Sequence, residues 1–316
     1  MRLACNSLLA FVLTLLPLRG QIVLNPPRDV ATFTSDVELV NVLCVVRDKK
    51  GTYSKDLNKD DFEILENGKP QNIKLFARET DAPLRVALLI DTSGSVSMVL
   101  DEEKEAARLF FQDVIRQGDM ALLGSFASRT VIWQELTGNK KFLEDAIDHT
   151  GDYVSEGKLR SSQCGGGTVL FDAVNMVALK KLKTIRGRKV MVLLTDGLDN
   201  GSISTAETAY KEALAADTVI YAIHYSPETE SHGMSEGLRA LRKLTEPTGG
   251  RTFQVDAKHP LKDAFKAIED DMRNQYAIGY KPLNEATDGT FRKLEVKIRQ
   301  PGLKAQTRSG YFAIRK

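Results

Sequence analysis

The feature that most constrains this fold is an alternation of short apolar runs with amphipathic stretches between residues 84 and 274. Continuous apolar runs are typical of strands buried on both faces of a sheet, and they lie at residues 85–90, 120–123, 189–194 and 219–223. The stretches between them place apolar side chains on one helical face, most clearly at residues 101–117, 169–182 and 205–216. This alternation predicts an α/β fold with a doubly wound, mostly parallel sheet. Residues 131–133 follow the preceding strand too closely for a crossover helix, so an antiparallel edge strand is expected there.

Both ends of the chain are β-rich. Residues 21–83 contain a β-branched run and a turn signal at Asn67-Gly68, and residues 275–316 contain three further strand patterns, at 275–280, 291–299 and 304–314. A segment of about sixty residues is marginal as a domain by itself, so the two ends are expected to form one sandwich-like domain. The central domain, residues 84–274, would then be inserted between its halves. Two separate edge hairpins packed on the central domain are the alternative.

The first twenty residues have the pattern of a secretory signal peptide. Arg2 is the only charge before an apolar stretch at residues 8–16, which is far shorter than the ~20 residues of a membrane-spanning helix. Cys5 precedes this stretch, whereas a lipoprotein cysteine would follow it, so no lipid anchor is expected. The sequence therefore predicts an exported protein, secreted or periplasmic, with no stable membrane insertion after removal of residues 1–20.

The remaining cysteines are Cys44 and Cys164. Two cysteines in an exported protein can pair, but Cys44 lies in an apolar run and Cys164 in a polar, glycine-rich loop. No disulfide is therefore expected to hold this fold together.

The charge balance excludes one class of partner. The chain has 44 Lys and Arg residues against 42 Asp and Glu, and removal of Arg2 and Arg19 with the leader leaves 42 of each. A protein that binds the phosphate backbone of nucleic acid is expected to carry a basic excess. We therefore expect no nucleic-acid partner.

Three polar loops lie at the edge where sheets of this type bind ligands. Asp91, Ser93 and Ser95 follow the first central strand, Asp196 follows the strand at residues 189–194, and Thr168 ends a glycine-rich loop before a helix. Their carboxylate and hydroxyl oxygens suit hard cations such as Mg²⁺, Mn²⁺ or Ca²⁺. A strand-to-helix turn with capping hydroxyls would explain the first three residues alone, but not the whole set.

The five residues resemble the metal-ion-dependent adhesion site of a von Willebrand factor A domain, a Rossmann-like fold, with its Asp-x-Ser-x-Ser, Thr and Asp elements in order. The resemblance implies that Ser93 and Ser95 bind the metal directly, that Thr168 binds directly or through water, and that Asp91 and Asp196 act chiefly through water. It implies a divalent cation, with Mg²⁺ favoured over Mn²⁺ or Ca²⁺. It also implies a protein partner whose Asp or Glu carboxylate completes the coordination.

Beyond the leader, the chain resembles a group of exported bacterial proteins, best known from Acidobacteria, that are described as VWFA-related. The resemblance lies in residues 60–69, 273–280 and 308–312. It implies an architecture and a site, but no particular ligand.

Binding rather than catalysis is the expected task. The sequence has no P-loop, no Gly-x-Ser-x-Gly elbow and no dinucleotide fingerprint. A metal-dependent phosphohydrolase is an alternative, since a metal and two aspartates can do that chemistry, but no general base or phosphate-binding Arg accompanies the motif. A structural envelope or matrix protein with a vestigial site is another. Asp199 is expected to be a turn or capping residue, and Asp172, one helical turn after Thr168, is expected either to support the site indirectly or to be structural. The loop at residues 151–164 is either a flexible loop or a rim that selects the partner.

Overall fold

The structure is a computed structural model that describes residues 39–79, 82–96, 98–151, 167–225, 235–256 and 258–314. The predicted leader lies outside the described residues, as do Cys164 and nearly all of the loop at residues 151–164. Within the described part of the chain, no helix is long and apolar enough to cross a membrane.

The apolar runs of the central region form a six-stranded sheet of order β10-β9-β8-β5-β6-β7. All neighbours pair in parallel except β6 and β7, whose antiparallel pairing agrees with the short connection between them. The strands are β5 (Leu84–Asp91), β6 (Met120–Phe126), β7 (Thr130–Thr137), β8 (Arg188–Thr195), β9 (Thr218–Tyr225) and β10 (Thr252–Val255). The predicted doubly wound, mostly parallel α/β fold is thus confirmed.

Helices cover both faces of this sheet, because alternate strand residues bury apolar side chains on opposite sides. Val86, Leu88 and Ile90 belong to the core beneath α1, α2 and α6, whereas Ala87 and Leu89 belong to the core beneath α3, α4 and α5. The helices are α1 (Leu100–Val114), α2 (Lys140–His149), α3 (Leu170–Val177), α4 (Ala206–Ala215), α5 (Glu236–Thr248) and α6 (Leu261–Arg273).

Two helices differ from the sequence expectation. Helix α1 ends at Val114 rather than at residue 117, because Ile115 is extended and the Asp119 carboxylate accepts a 3.1 Å hydrogen bond from the backbone N–H of Arg116. The predicted helix at 169–182 divides into α3 and a π-helical segment, Ala178–Leu182, in which the Lys183 N–H reaches the Ala178 carbonyl.

Strands from the two ends of the described chain pair directly with each other. β1 lies between β11 and β13 in a sheet of order β13-β1-β11-β4, and β2 pairs with β12 in a sheet of order β14-β12-β2-β3. These strands are β1 (Val40–Arg47), β2 (Phe62–Glu66), β3 (Lys69–Gln71), β4 (Ile73–Glu79), β11 (Gln275–Tyr280), β12 (Phe291–Ile298), β13 (Lys304–Thr307) and β14 (Gly310–Phe312). Strands from residues 40–79 and 275–312 thus share two antiparallel sheets.

The antiparallel sheets enclose a core of their own. Phe62, Phe76 and Tyr276 pack with ring centroids 5.2 to 5.7 Å apart. Cys44 lies in the same core as a free, buried thiol. All described residues belong to one compact unit, Leu39–Lys316. The domain bounds at residues 84 and 274 stay a prediction.

Candidate metal centre

The candidate site lies where the strand order of the central sheet reverses. The chain leaves β5 to build β6 on one side and later returns to build β8 on the other, so that β5 and β8 are parallel neighbours. Loops that follow such neighbours diverge and leave a crevice at the carboxyl edge of the sheet. Asp91 is the last residue of β5, and Asp196 directly follows β8.

Asp91 lies buried at the bottom of this crevice. Its Oδ2 accepts a 2.6 Å hydrogen bond from the Thr195 hydroxyl, and its Oδ1 accepts a 2.9 Å hydrogen bond from the backbone N–H of Ser93. Burial raises the pKa of Asp91 to about 6, with a further contribution from the negative charge of Asp196, although the hydrogen bonds from Thr195 and Ser93 oppose this shift. A nearby cation would stabilise the ionised form of a carboxylate in this environment.

The two serines of the motif bring their hydroxyl groups together. Ser93 Oγ lies 3.1 Å from Ser95 Oγ, and the turn that holds them is closed by a hydrogen bond from the Val96 N–H to the Ser93 carbonyl. Ser93 is half-buried and Ser95 is exposed. The pair therefore presents two oxygen donors on the solvent side of Asp91.

Thr168 is held at the crevice by the loop after β8. Its backbone N–H donates a 2.6 Å hydrogen bond to Asn200 Oδ1, and its carbonyl accepts from the N–H groups of Asn200 and Gly201. A Cβ on Gly167 would lie 3.1 Å from Asn200 Oδ1 and 3.2 Å from Gly201 Cα, so the close approach of the two loops depends on a small residue there. Thr168 itself is buried.

Asp196 is fixed by its own loop. Its Oδ1 accepts a 2.9 Å hydrogen bond from the Leu198 N–H, and the left-handed Gly197 (φ 79°) turns the chain sharply behind it. A Cβ on Gly237, at the start of α5, would lie 1.9 Å from the Asp196 carbonyl oxygen. Helix α5 therefore packs against the backbone of this residue.

Asp172 and Asp199 form hydrogen bonds between α3 and the loop after β8. Asp199 Oδ2 accepts hydrogen bonds from the Phe171 N–H at 2.9 Å and the Ser202 hydroxyl at 2.6 Å. Asp172 accepts from the N–H groups of Ile203 and Ser204 at 2.9 and 2.8 Å. Both carboxylates tie α3 to the loop after β8, because their oxygens are taken up by backbone and hydroxyl donors.

The donor set is suited to a hard cation bound through oxygen. Within the described ranges, no three His, Cys, Asp or Glu side chains lie close enough together to hold a metal ion. A cation at this edge would therefore depend on the hydroxyl groups of Ser93, Ser95 and Thr168 as well as on Asp91 and Asp196. The assignment of these five residues as ligands stays a prediction.

Sequence reasoning missed one acidic residue beside this site. Glu103, in the first turn of α1, is completely buried. The helical repeat of buried residues, which includes Ala106, Ala107 and Phe110, reaches Glu103 when it is extended by one turn toward the N-terminus. A carboxylate at a position on the otherwise apolar face of the helix was the sequence signal that could have identified Glu103 as buried.

Residues 86–198 match the family model described as the von Willebrand factor type A domain. The matched range contains Asp91, Ser93, Ser95, Thr168 and Asp196. The match supports a von Willebrand factor type A domain in the central part of the chain. No sequence match was found among curated proteins.

Several solved structures are similar to this chain. The conserved hypothetical protein BatB from Bacteroides thetaiotaomicron is 15% identical, over 60% of this chain and 97% of that one, with a TM-score of 0.45. A von Willebrand factor type A protein from Catenulispora acidiphila is 14% identical, over 80% and 72%, with a TM-score of 0.47. Proximal thread matrix protein 1 from the mussel byssus, with a zinc-occupied MIDAS motif, is 18% identical, over 66% and 49%, with a TM-score of 0.47. At these TM-scores the likenesses carry no argument about function.

Proposed function

We propose that this protein is an exported, metal-dependent protein-binding module of the VWFA-related type, and not an enzyme. Asp91, Ser93, Ser95, Thr168 and Asp196 would form a metal-ion-dependent adhesion site that holds a divalent cation, Mg²⁺ in preference to Mn²⁺ or Ca²⁺. An Asp or Glu side chain of a protein partner would complete the coordination. Export rests on the predicted leader at residues 1–20.

The observation that carries this proposal is the convergence of oxygen donors at the carboxyl edge of β5 and β8. Asp91 is buried there, within reach of the charge of Asp196, and the Ser93 and Ser95 hydroxyls lie 3.1 Å apart on its solvent side. If Asp91 and Asp196 act chiefly through water, the direct protein ligands are neutral hydroxyl groups, and these leave the divalent ion strongly electrophilic. Such an ion favours an additional anionic ligand, and an acidic side chain of a partner supplies one.

Exposed apolar side chains around the same edge favour a protein as the partner. Met98, in the loop after β5, is 98% exposed, and Ile203 and Leu198, in the loop after β8, are 97% and 43% exposed. Exposed apolar residues beside a polar site are a feature of surfaces that bind proteins. A phosphate ester would gain little from them. We therefore expect the partner to present a carboxylate with apolar residues beside it.

The first test is a calorimetric titration of the mature protein with MgCl₂ and MnCl₂. Saturable binding is expected in the wild type and should be lost in Asp91→Ala and in Thr168→Ala, with circular dichroism unchanged. Asp101→Ala removes an exposed carboxylate near the same edge and should bind like the wild type. Full metal affinity in either site variant would contradict the proposed ligands. A folded wild type that binds no metal would favour the structural envelope or matrix role.

The second test concerns the partner. Immobilised protein in Mg²⁺ should retain peptides that combine Asp or Glu with apolar neighbours, and it should release them in EDTA. The same peptides with Asn or Gln in place of the acid should not be retained. Ile203→Ser should weaken retention, whereas Leu283→Ser, a 72% exposed residue after β11, should leave it unchanged. Retention that is insensitive to EDTA would contradict a metal-bridged contact.

A further inference from the structure

Glu103 is a buried carboxyl group without a hydrogen-bond partner among the described residues. It lies in the first turn of α1, is 0% exposed, and neither of its carboxylate oxygens has a hydrogen-bond partner among the described residues. A buried polar group without a partner is unfavourable, and for an ionised carboxylate the cost is larger still. A residue of this kind calls for a physical explanation.

The surroundings of Glu103 are acidic. Burial raises the pKa of Glu103 well above its ordinary value, and the negative charges of Asp91, Glu102 and Asp196 raise it further. Asp91 and Asp196 are the two carboxylates of the candidate metal centre, so Glu103 lies within electrostatic reach of that centre from the helix side.

A second unmatched polar group lies on the same side of the sheet. The hydroxyl of Tyr225, the last residue of β9, is buried without a hydrogen-bond partner in the described part of the chain. The ring packs against the core that α1 covers, and burial followed by the charges of Glu102 and Glu103 raises the pKa of this hydroxyl. Unpaired buried groups that lie near each other are typical places for bound water or an ion.

Asp271 shows what a structural carboxylate looks like in this protein. It is also 0% exposed and also lies on a helix, α6, but it binds Arg47, Arg251 and the hydroxyl of Tyr53. Among the described residues, the charges that act on Glu103 are instead all negative. A role in packing alone would leave this difference unexplained.

We propose that Glu103 is a positioning residue of the candidate metal centre, which acts on the cation through the ion's water ligands rather than by direct contact. Direct ligation together with Asp91 and Asp196 is not supported, because these residues do not form a three-carboxylate cluster of metal-binding dimensions. Groups that act on a metal through its ligands are known to tune its affinity. The inference rests on the proposed metal-binding function.

The test compares Glu103→Gln with Glu102→Gln in the full mature chain. Both substitutions replace one carboxyl group with an amide on the same helical turn, but Glu102 is exposed. Calorimetric titration with MnCl₂ should show affinity reduced about 10-fold or more in Glu103→Gln and within about twofold of the wild type in Glu102→Gln. In EDTA, the Tm of Glu103→Gln should equal or exceed that of the wild type, because the buried carboxyl group that it replaces makes no hydrogen bond to the described residues.

Two results would overturn the inference while leaving the metal centre intact. One is a wild type that binds Mn²⁺ and a Glu103→Gln variant that binds it equally well. The other is a lower Tm of Glu103→Gln in EDTA, including failure to fold, since this would show that Glu103 stabilises the metal-free fold. A wild type that binds no Mn²⁺ would instead overturn the proposed function together with this role.

Discussion

Thr195 and Asp91 join the carboxyl ends of the two neighbouring strands β8 and β5 through a 2.6 Å hydrogen bond from the Thr195 hydroxyl to Asp91 Oδ2. Both residues are 0% exposed. The bond fixes one oxygen of Asp91 within the protein and orients the carboxyl group toward the turn that carries Ser93 and Ser95. The geometry of the candidate site therefore depends on a residue outside the predicted ligand set.

Replacement of Thr195 by Val should destabilise the protein and weaken metal binding. The Val side chain has nearly the same shape, but it leaves a buried oxygen of Asp91 without its donor and the Gly197 N–H without its acceptor, at a cost of about 1–3 kcal/mol for each unsatisfied group. Urea unfolding in EDTA measures the first effect and MnCl₂ titration the second. Thr195→Ser retains the hydroxyl and should lose less stability and less metal affinity than Thr195→Val. Equal stability of Thr195→Val and the wild type would show that the hydrogen bond does not matter.

Asn200→Ala should reduce metal affinity more than it reduces stability. Asn200 is exposed, so loss of its hydrogen bond to the Thr168 N–H should cost only about 0.5–1.5 kcal/mol. The loop that carries Thr168 would, however, lose one of the three hydrogen bonds that hold it against the turn after β8. Asn200→Asp keeps the acceptor oxygen and serves as the matched control. If metal titrations of Asn200→Ala and the wild type coincide, this contact does not position Thr168.

Asp271→Ala should be strongly destabilising. Asp271 Oδ2 lies 3.1 Å from Arg251 Nε, and Arg47, on β1, binds Oδ1. Removal of the shared carboxylate leaves these guanidinium groups without their partner, at a cost of about 3–5 kcal/mol. The free energy of unfolding should fall accordingly in urea. Asp270→Ala removes the neighbouring, partly exposed carboxylate, and it should lower the free energy of unfolding by less than about 1 kcal/mol.

Cys44 should resist alkylation in the native protein. Burial raises the pKa of its thiol to about 12, so very little thiolate is present at pH 8. Peptide-resolved mass spectrometry after iodoacetamide treatment should find Cys44 labelled in denaturant and unlabelled in buffer. Rapid labelling of the native protein would contradict this burial.

The same shift gives a pH dependence with a defined sign. Between the ordinary thiol pKa of 9.0 and about 12, the folded state keeps a proton that the unfolded state releases. The contribution of Cys44 to stability is therefore fully present below pH 9 and is lost as the pH rises through this window. The free energy of unfolding, measured in urea at increasing pH, should fall more steeply in the wild type than in Cys44→Ala. If the two proteins lose stability in parallel as the pH rises, the raised pKa of the Cys44 thiol is contradicted.

The sequence by itself determined the local elements of this fold. Apolar runs such as residues 85–90 and 189–194 became central strands, because a strand covered by helices on both faces must be apolar throughout. Gln275–Tyr280 formed as predicted, and Asn67 and Gly68 adopt the positive φ angles of a tight turn. The positions of Asp91 and Asp196 at one edge followed from the same reasoning, since parallel strands end on the same side of a sheet.

Only the tertiary structure decided which distant segments meet. β1 pairs with β11 and Asn200 contacts Thr168, although these partners lie far apart in the sequence. Glu103 is buried without a hydrogen-bond partner among the described residues. Periodicity reports which face of a helix or strand is buried, because it depends on neighbouring residues alone. It cannot report what lies opposite that face. Whether a buried carboxylate is paired, as Asp271 is, or unpaired, as Glu103 is, depends on packing between elements distant in sequence.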